Sequence, residues 1–146
     1  MSTYSFLDVA ATLVGVSGFI DLGNGAANAE EGISIEMGGD KNSMLIGADG
    51  EGMHSLHADK SGQIIVRLLK TSPQNAKLMA MYIAQTTASQ LHGQNTITVT
   101  NVKSGDVTVG REAAFKKKPS ITYAKDGNVQ EWAFDCIKID TVLGTF

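Results

Sequence analysis

Residues Gly47 to His54 read "GADGEGMH", and a second histidine follows at His57. Two carboxylates (Asp49 and Glu51), two imidazoles and three glycines fall within a short window, which is the raw material of a cation or phosphate site. A calcium hand places oxygen ligands at loop positions 1, 3 and 5, glycine at 6 and glutamate at 12. Counted from Asp49, position 5 is Met53 and position 12 is Lys60. Counted from Asp40, position 12 is Glu51 but position 5 is Met44 and position 6 is Leu45. Both registers fail. The phosphate-loop string G-x-x-x-x-G-K-[ST] is absent. "GNGAAN" puts Asn28 where the third glycine of a dinucleotide fingerprint belongs, and no βαβ unit follows.

Zinc fares no better. His54 and His57 are three apart, and on a strand that spacing sends them to opposite faces. His92 lies in "LHGQN", far along the chain. A metal site also needs a full ligand count and outer hydrogen-bond support, so the histidines read as polar structural residues. No G-x-S-x-G elbow is present, and the single cysteine, Cys136, sits in the apolar run "WAFDCIKI", where it reads as a small buried hydrophobe. Glu30 and Glu31 are adjacent at a strand start and point apart. Lys116-Lys117-Lys118 precedes Pro119 without interleaved aromatics in a chain of net charge −3, so it reads as a solvated or subunit-facing charge run rather than a nucleic-acid platform. The expectation is a non-enzymatic protein with no cofactor and no metal. The opposing reading is a small metal-dependent enzyme using Asp49, Glu51, His54 and His57, whose signature would be stoichiometric metal.

The elements that carry these residues are mostly strands. At 146 residues the chain fits one domain, 1–146, and can form an ordinary core. Sixteen glycines against two prolines, with many short β-rich runs, indicate a sheet-dominated fold. Strands are expected at 4–14, 18–22, 32–37, 43–47, 53–58, 63–69, 96–102, 107–111, 120–124 and 130–140. Asp126-Gly127 in "KDGN" separates two alternating runs and predicts a hairpin. The apolar stretch between Asp8 and Asp21 has no basic flank and is too short to span a bilayer; it reads as strand, and no membrane insertion is expected.

One helix stands out, at about residues 73–89. Ser72 can accept from an amide at its start, and Pro73 at the first helical position loses no hydrogen bond. Leu78, Met81, Tyr82 and Gln85 form a stripe, which Met79 and Ile83 widen. "QIIVRLL" and "EWAFDCIKID" are apolar on both faces, whereas a solvated antiparallel sheet should alternate. Cover from other subunits is one explanation, a closed barrel with the helix outside another. Charge is separated along the chain: residues 1–59 hold nine Asp/Glu and one Lys, while residues 60–146 hold eleven Lys/Arg and six Asp/Glu. Either folding interleaves the two sets or copies dock on one another.

"EEGISIEMGGDKNSMLIGADGEGMHSLHADKSGQIIVRLLKTSPQNAKLMAMY" and "PSITYAKDGNVQEWAFDCIKIDTVLG" resemble the inner tail-tube proteins of contractile-tailed bacteriophages, which are related in fold to the tube proteins of bacteriocin particles and type VI secretion. "VRLLKTSPQN" entering the helix and "YAKDG" are the most specific pieces. The resemblance implies a mainly β fold: two packed antiparallel sheets forming a barrel-like sandwich, one flanking α-helix and a long hairpin. It also implies hexameric rings stacked into a hollow tube for genome delivery. Its partners would be other copies of itself, sheath, tape-measure and baseplate proteins, and passing genomic DNA held without sequence specificity. The location would be the virion tail, and the host cytoplasm during assembly. A surplus of acid suits a lumen that DNA slides through without sticking. The family commonly sends a long hairpin to the adjoining ring. Here Gly38–Ala58 is its expected place, with Asp40, Lys41, Met44, Ile46, Asp49, Glu51, Met53 and His54 as inter-subunit residues. The alternative is another phage tail component on a similar fold, a tail terminator or baseplate hub protein.

Overall fold

The computed structural model describes residues 2–146. The chain runs through a 3₁₀ turn (Phe6–Asp8), then β1 (Val9–Gly15), β2 (Gly18–Asp21), β3 (Asn28–Met37), β4 (Asn42–Ile46), β5 (Gly52–Leu56) and β6 (Gly62–Leu69). Helix α1 (Gln74–Thr86) follows, then β7 (Asn95–Asn101), β8 (Asp106–Lys117) and β9 (Val129–Val142). Seven strands form one antiparallel sheet in the order β2-β1-β7-β8-β9-β6-β3, and β4 and β5 form a second sheet by themselves. The larger sheet does not close: β2 and β3 are its two edges.

Alternation explains the packing. Along β6 the even positions Gly62, Ile64, Val66 and Leu68 are buried and the odd ones are not, the pattern of a strand with one face on a core. Leu13 of β1, Ile20 of β2, Ile97 of β7, Phe115 of β8 and Trp132 and Phe134 of β9 join them in one cluster. Strands far apart in the sheet order share this core, so the sheet curls over on itself and packs in the manner of a sandwich. Phe115 sits at its centre, edge-on to Tyr82 and Trp132 at 5.6 and 5.9 Å between centroids. Cys136 is buried beside them.

Helix α1 packs against β2 and places Leu78, Met81 and Gln85 in the interior. The Ser72 hydroxyl accepts from the Gln74 amide at 3.3 Å, as its position before Pro73 suggested, and donates to the Ala26 carbonyl. Trp132 Nε1 donates to Asn75 Oδ1 at 3.1 Å, tying the first turn to β9. Gln85 and Asn95 exchange two amide hydrogen bonds of 2.7 Å, both residues being fully enclosed. Of the two side chains expected to widen the helical stripe, Met79 packs on the core and Ile83 is exposed.

Three local expectations are corrected. Residues 120–124 are not a strand, so "KDGN" is a bend and not a hairpin turn. The cause is Pro119, which has no amide to donate and ends β8 at Lys117. The segment is instead held by Lys70 Nζ on the Thr122 carbonyl. The N-terminal strand starts at Val9 rather than residue 4, because Ser5 Oγ accepts from Leu7 N and caps a 3₁₀ turn. The helix ends at Thr86, where Thr86 and Thr87 hydroxyls bond back to the carbonyls of Tyr82 and Ala84.

Candidate assembly interface

The second sheet is the outer part of a single long ribbon. β3 pairs with β6 from Asn28↔Leu68 to Met37↔Gly62, and the Gly38 amide bonds to the Ser61 carbonyl at 2.8 Å. The ribbon resumes beyond this point as Asn42↔Leu56 through Ile46↔Gly52. "GADGEG" closes it. The Gly47 amide donates to the Glu51 carbonyl at 2.7 Å, Gly50 takes φ +89°, and Asp49 Oδ1 accepts from the Glu51 amide at 3.1 Å. A left-handed residue at the tip is a conformation that glycine adopts without strain. The glycines therefore serve a chain reversal, and the Asp49 carboxylate fixes the turn.

Every residue expected at the inter-subunit hairpin lies on this ribbon or at its neck. Directly opposed residues share a face, so Met44 and Ile46 stand with His54 and Leu56 on one side, and Leu45 with Met53 on the other. Asp40 and Lys41 are at its neck, where the Asp40 carbonyl accepts from the His57 ring at 2.9 Å and Lys41 Nζ donates to the His57 carbonyl at 3.1 Å. Asn42 Nδ2 lies 3.2 Å from His54 Nδ1. The two histidines thus have different partners, His54 with Asn42 and His57 with the Asp40 carbonyl and, 3.3 Å from its Nε2, the Ser43 hydroxyl. No group of three or more His, Cys, Asp or Glu among the described residues is placed to hold a metal ion. Asp59, also at the neck, is held below the usual carboxylate range, chiefly by hydrogen bonds from the Ser61 hydroxyl and amide.

The ribbon is exposed on both faces. Met44, Leu45, Ile46 and Met53 are each more than half accessible, and Leu56 is 87% exposed. Leu45 and Leu56 were missing from the sequence-derived set. The unbroken apolar run "MLI" was the available signal, since alternation must send its middle residue to the opposite face. A second apolar feature was not foreseen. The curled sheet leaves a cleft of about 550 Å³ beside edge strand β3, walled by Tyr4, Phe6, Ile33, Ile35, Met37 and Leu143. It arises at the sheet edge: Ile33, Ile35 and Met37 stand opposite Val66, Ile64 and Gly62 of β6, and no further strand lies beyond β3.

Fold and surface together define a small antiparallel-β protein whose conspicuous exposed features are an apolar two-stranded ribbon and a cleft at a sheet edge. The chain matches, over residues 1–144, the family model described as bacteriophage PhiTE tail tube protein, and it belongs to that family as a structural subunit of the tail tube. No curated protein matches the sequence. Among solved structures, a chain of the sheath-tube complex of an extracellular contractile injection system, PVC, in its extended state aligns with TM-score 0.61 at 16% identity. That alignment covers 97% of this chain and 92% of that one. A chain of the PVC sheath/tube terminator aligns with TM-score 0.61 at 16% identity, over 97% and 98% of the two chains. A chain of the anti-feeding prophage baseplate aligns with TM-score 0.62 at 7% identity, over 97% of each. At these identities the likeness is one of fold.

Proposed function

We propose that this chain builds the inner tail tube as stacked hexameric rings, a channel for genome delivery, and that its role is non-enzymatic. The observation that carries this reading is the long ribbon with apolar side chains exposed on both faces, in a member of a tail-tube family. An exposed apolar surface of that kind is the mark of a contact with other protein. The free edges β2 and β3 support edge-to-edge joining into a ring. Stacking by a contact that does not close on itself gives a tube. In this reading Asp40, Lys41, Met44, Ile46, Asp49, Glu51, Met53 and His54 belong to the ring-stacking hairpin. The partners are further copies, sheath, tape-measure and baseplate proteins, and DNA passing without sequence-specific contact. The site of action is the virion tail, after assembly in the host cytoplasm.

Electron microscopy of the purified protein should show rings and tubes. A strictly monomeric species over a wide range of concentration and salt, with tail-initiation components supplied, would overturn the proposal. Single rings that never stack would favour a tail terminator. Removing Gly47–Gly52 should block stacking while the thermal melt of the domain is kept, because β4 and β5 pair only with each other. Normal tubes from that variant would place the stacking element elsewhere.

A further inference from the structure

We infer that His57 is the positioning residue of the ribbon: it clasps the two arms of the neck and sets the angle at which β4 and β5 leave the body. The clasp belongs to the single chain, and only its consequence for assembly rests on the ribbon being the stacking element. Backbone pairing by itself does not fix this angle. The inner ladder ends at Met37↔Gly62 and the outer one starts at Asn42↔Leu56, which leaves four residues (38–41) on one arm and five (57–61) on the other. Arms of unequal length cannot keep a regular register, and a ladder bends where one strand gains a residue. Gly38 and Gly39 add backbone freedom to the shorter arm. Beyond the neck, β4 and β5 pair only with each other.

The two arms are held differently. The longer one is tied to the body: the Lys60 carbonyl accepts from the Ile139 amide at 2.9 Å, and the Ser61 carbonyl from the Gly38 amide at 2.8 Å. Asp59 Oδ1 braces the same arm by accepting from the Ser61 amide at 2.8 Å. Above that point, among the described residues, each hydrogen bond between the arms ends on His57. Its amide donates to the Lys41 carbonyl at 2.9 Å, and its own carbonyl accepts from Lys41 Nζ at 3.1 Å. Its ring lies between the Asp40 carbonyl, 2.9 Å from Nδ1, and the Ser43 hydroxyl, 3.3 Å from Nε2. A carbonyl can only accept, so Nδ1 carries a hydrogen, and Nε2 of the neutral ring accepts from Ser43. One residue on the anchored arm thus grips Asp40, Lys41 and Ser43 of the other strand, and the glycine arm hangs on it. A ribbon held at one angle before contact has less freedom to lose when it docks.

The test measures the angle in the free chain, below the concentration at which it assembles. Nitroxide labels on Ala48→Cys at the tip and Lys77→Cys on α1, both exposed positions, give the separation by pulsed electron resonance, while buried Cys136 stays unlabelled. The parent should show one narrow distance distribution. His57→Ala should broaden it about twofold or more, since the glycine arm is then unclasped. Trp132 fluorescence should meanwhile show the body unfolding at the parent's denaturant midpoint. His57→Asn puts a side-chain amide where Nδ1 stands and should recover much of the narrow distribution. In assembly, His57→Ala should raise the concentration needed for tubes by about tenfold. An unchanged distribution in His57→Ala, a lowered unfolding midpoint, or no recovery in His57→Asn would overturn the inference. A parent-like assembly concentration beside a broadened distribution would overturn its consequence for assembly. Tubes that survive removal of Gly47–Gly52, with His57→Ala still broadening the distribution, would end the stacking role of the ribbon and leave the clasp standing.

Discussion

The reciprocal amide pair between Gln85 of α1 and Asn95 of β7 gives a sharp test of how the helix is fastened. Its two hydrogen bonds are each 2.7 Å long, and the residues are 1% and 0% exposed. A Cβ on Gly15 would lie 2.1 Å from Asn95 Oδ1, so backbone closes the site on that side. Gln85→Met keeps the length of the side chain and so opens little cavity. It strands the Asn95 oxygen and one amide hydrogen in a dry site, at about 1–3 kcal/mol for each orphaned group. Part of this is offset by the apolar replacement, leaving a net loss of about 2–4 kcal/mol. That corresponds to a fall in Tm of roughly 6–12 °C for a chain of this length. Gln85→Met combined with Asn95→Leu leaves no orphan and should lie within about 1 kcal/mol of the parent, since replacing both partners together is nearly neutral. Trp132 is the sole tryptophan and is fully buried, so its fluorescence reports denaturant unfolding directly. All variants are compared at one protein concentration, because assembly adds to apparent stability. A loss below about 1 kcal/mol for the single variant, or a double variant as unstable as the sum of its parts, would refute the reasoning.

Gly62 lies at the root of the ribbon, where a Cβ would meet the Glu36 carbonyl oxygen at 2.3 Å; Gly62→Ala should cost about 1–3 kcal/mol in the same denaturation assay, from overpacking against backbone. Glu112 holds φ +52° beside the register shift between β7 and β8, so Glu112→Gly should gain about 0.5 kcal/mol while the β-branched Glu112→Val loses about 1–2 kcal/mol. Burial, with the Asp135 charge second, pushes the Cys136 thiol up to about 11 from 9.0. The folded state therefore holds this proton more tightly than the unfolded chain. The resulting stability is fully present below pH 9 and is lost as the pH rises towards 11, by up to about 2–3 kcal/mol. Cys136→Ala should flatten the stability profile across that window, and an equally steep decline in that variant would rule the thiol out.

Local signals gave the helix start, the β-rich class and the chain reversal at "GADGEG", because serine before proline and a glycine tip act over a few residues. The ribbon was legible for the same reason. Pairings that join distant segments were not legible: Gln63 meets Asp135 across seventy-two residues, and nothing local ranks that partner above others. Gln85 looked like a polar member of an apolar stripe, and only the placement of Asn95 shows why it is buried. The alternating run at 120–124 misled because Pro119 removes the donor that continued pairing needs. The two-faced apolar character of "QIIVRLL" is accounted for in part within one chain. Its even positions fill the core, Ile65 and Arg67 are half-covered, and Leu69 is left exposed.

The side chains that first suggested a ligand site are engaged within the ribbon itself. One Asp49 oxygen accepts from the Glu51 amide, and the histidines face different partners, His54 with Asn42 and His57 with Asp40 and Ser43. A two-stranded ribbon is at best marginally stable in water by itself, yet this one presents apolar residues on both faces. One flat partner surface can cover only one face, so covering both requires the ribbon to be sandwiched or to enter a groove. Its burial is therefore tied to a surround that several neighbours build together, as a ring of copies would. In the proposed tube that surround would be complete only once a ring of copies has closed, so ring formation would precede stacking.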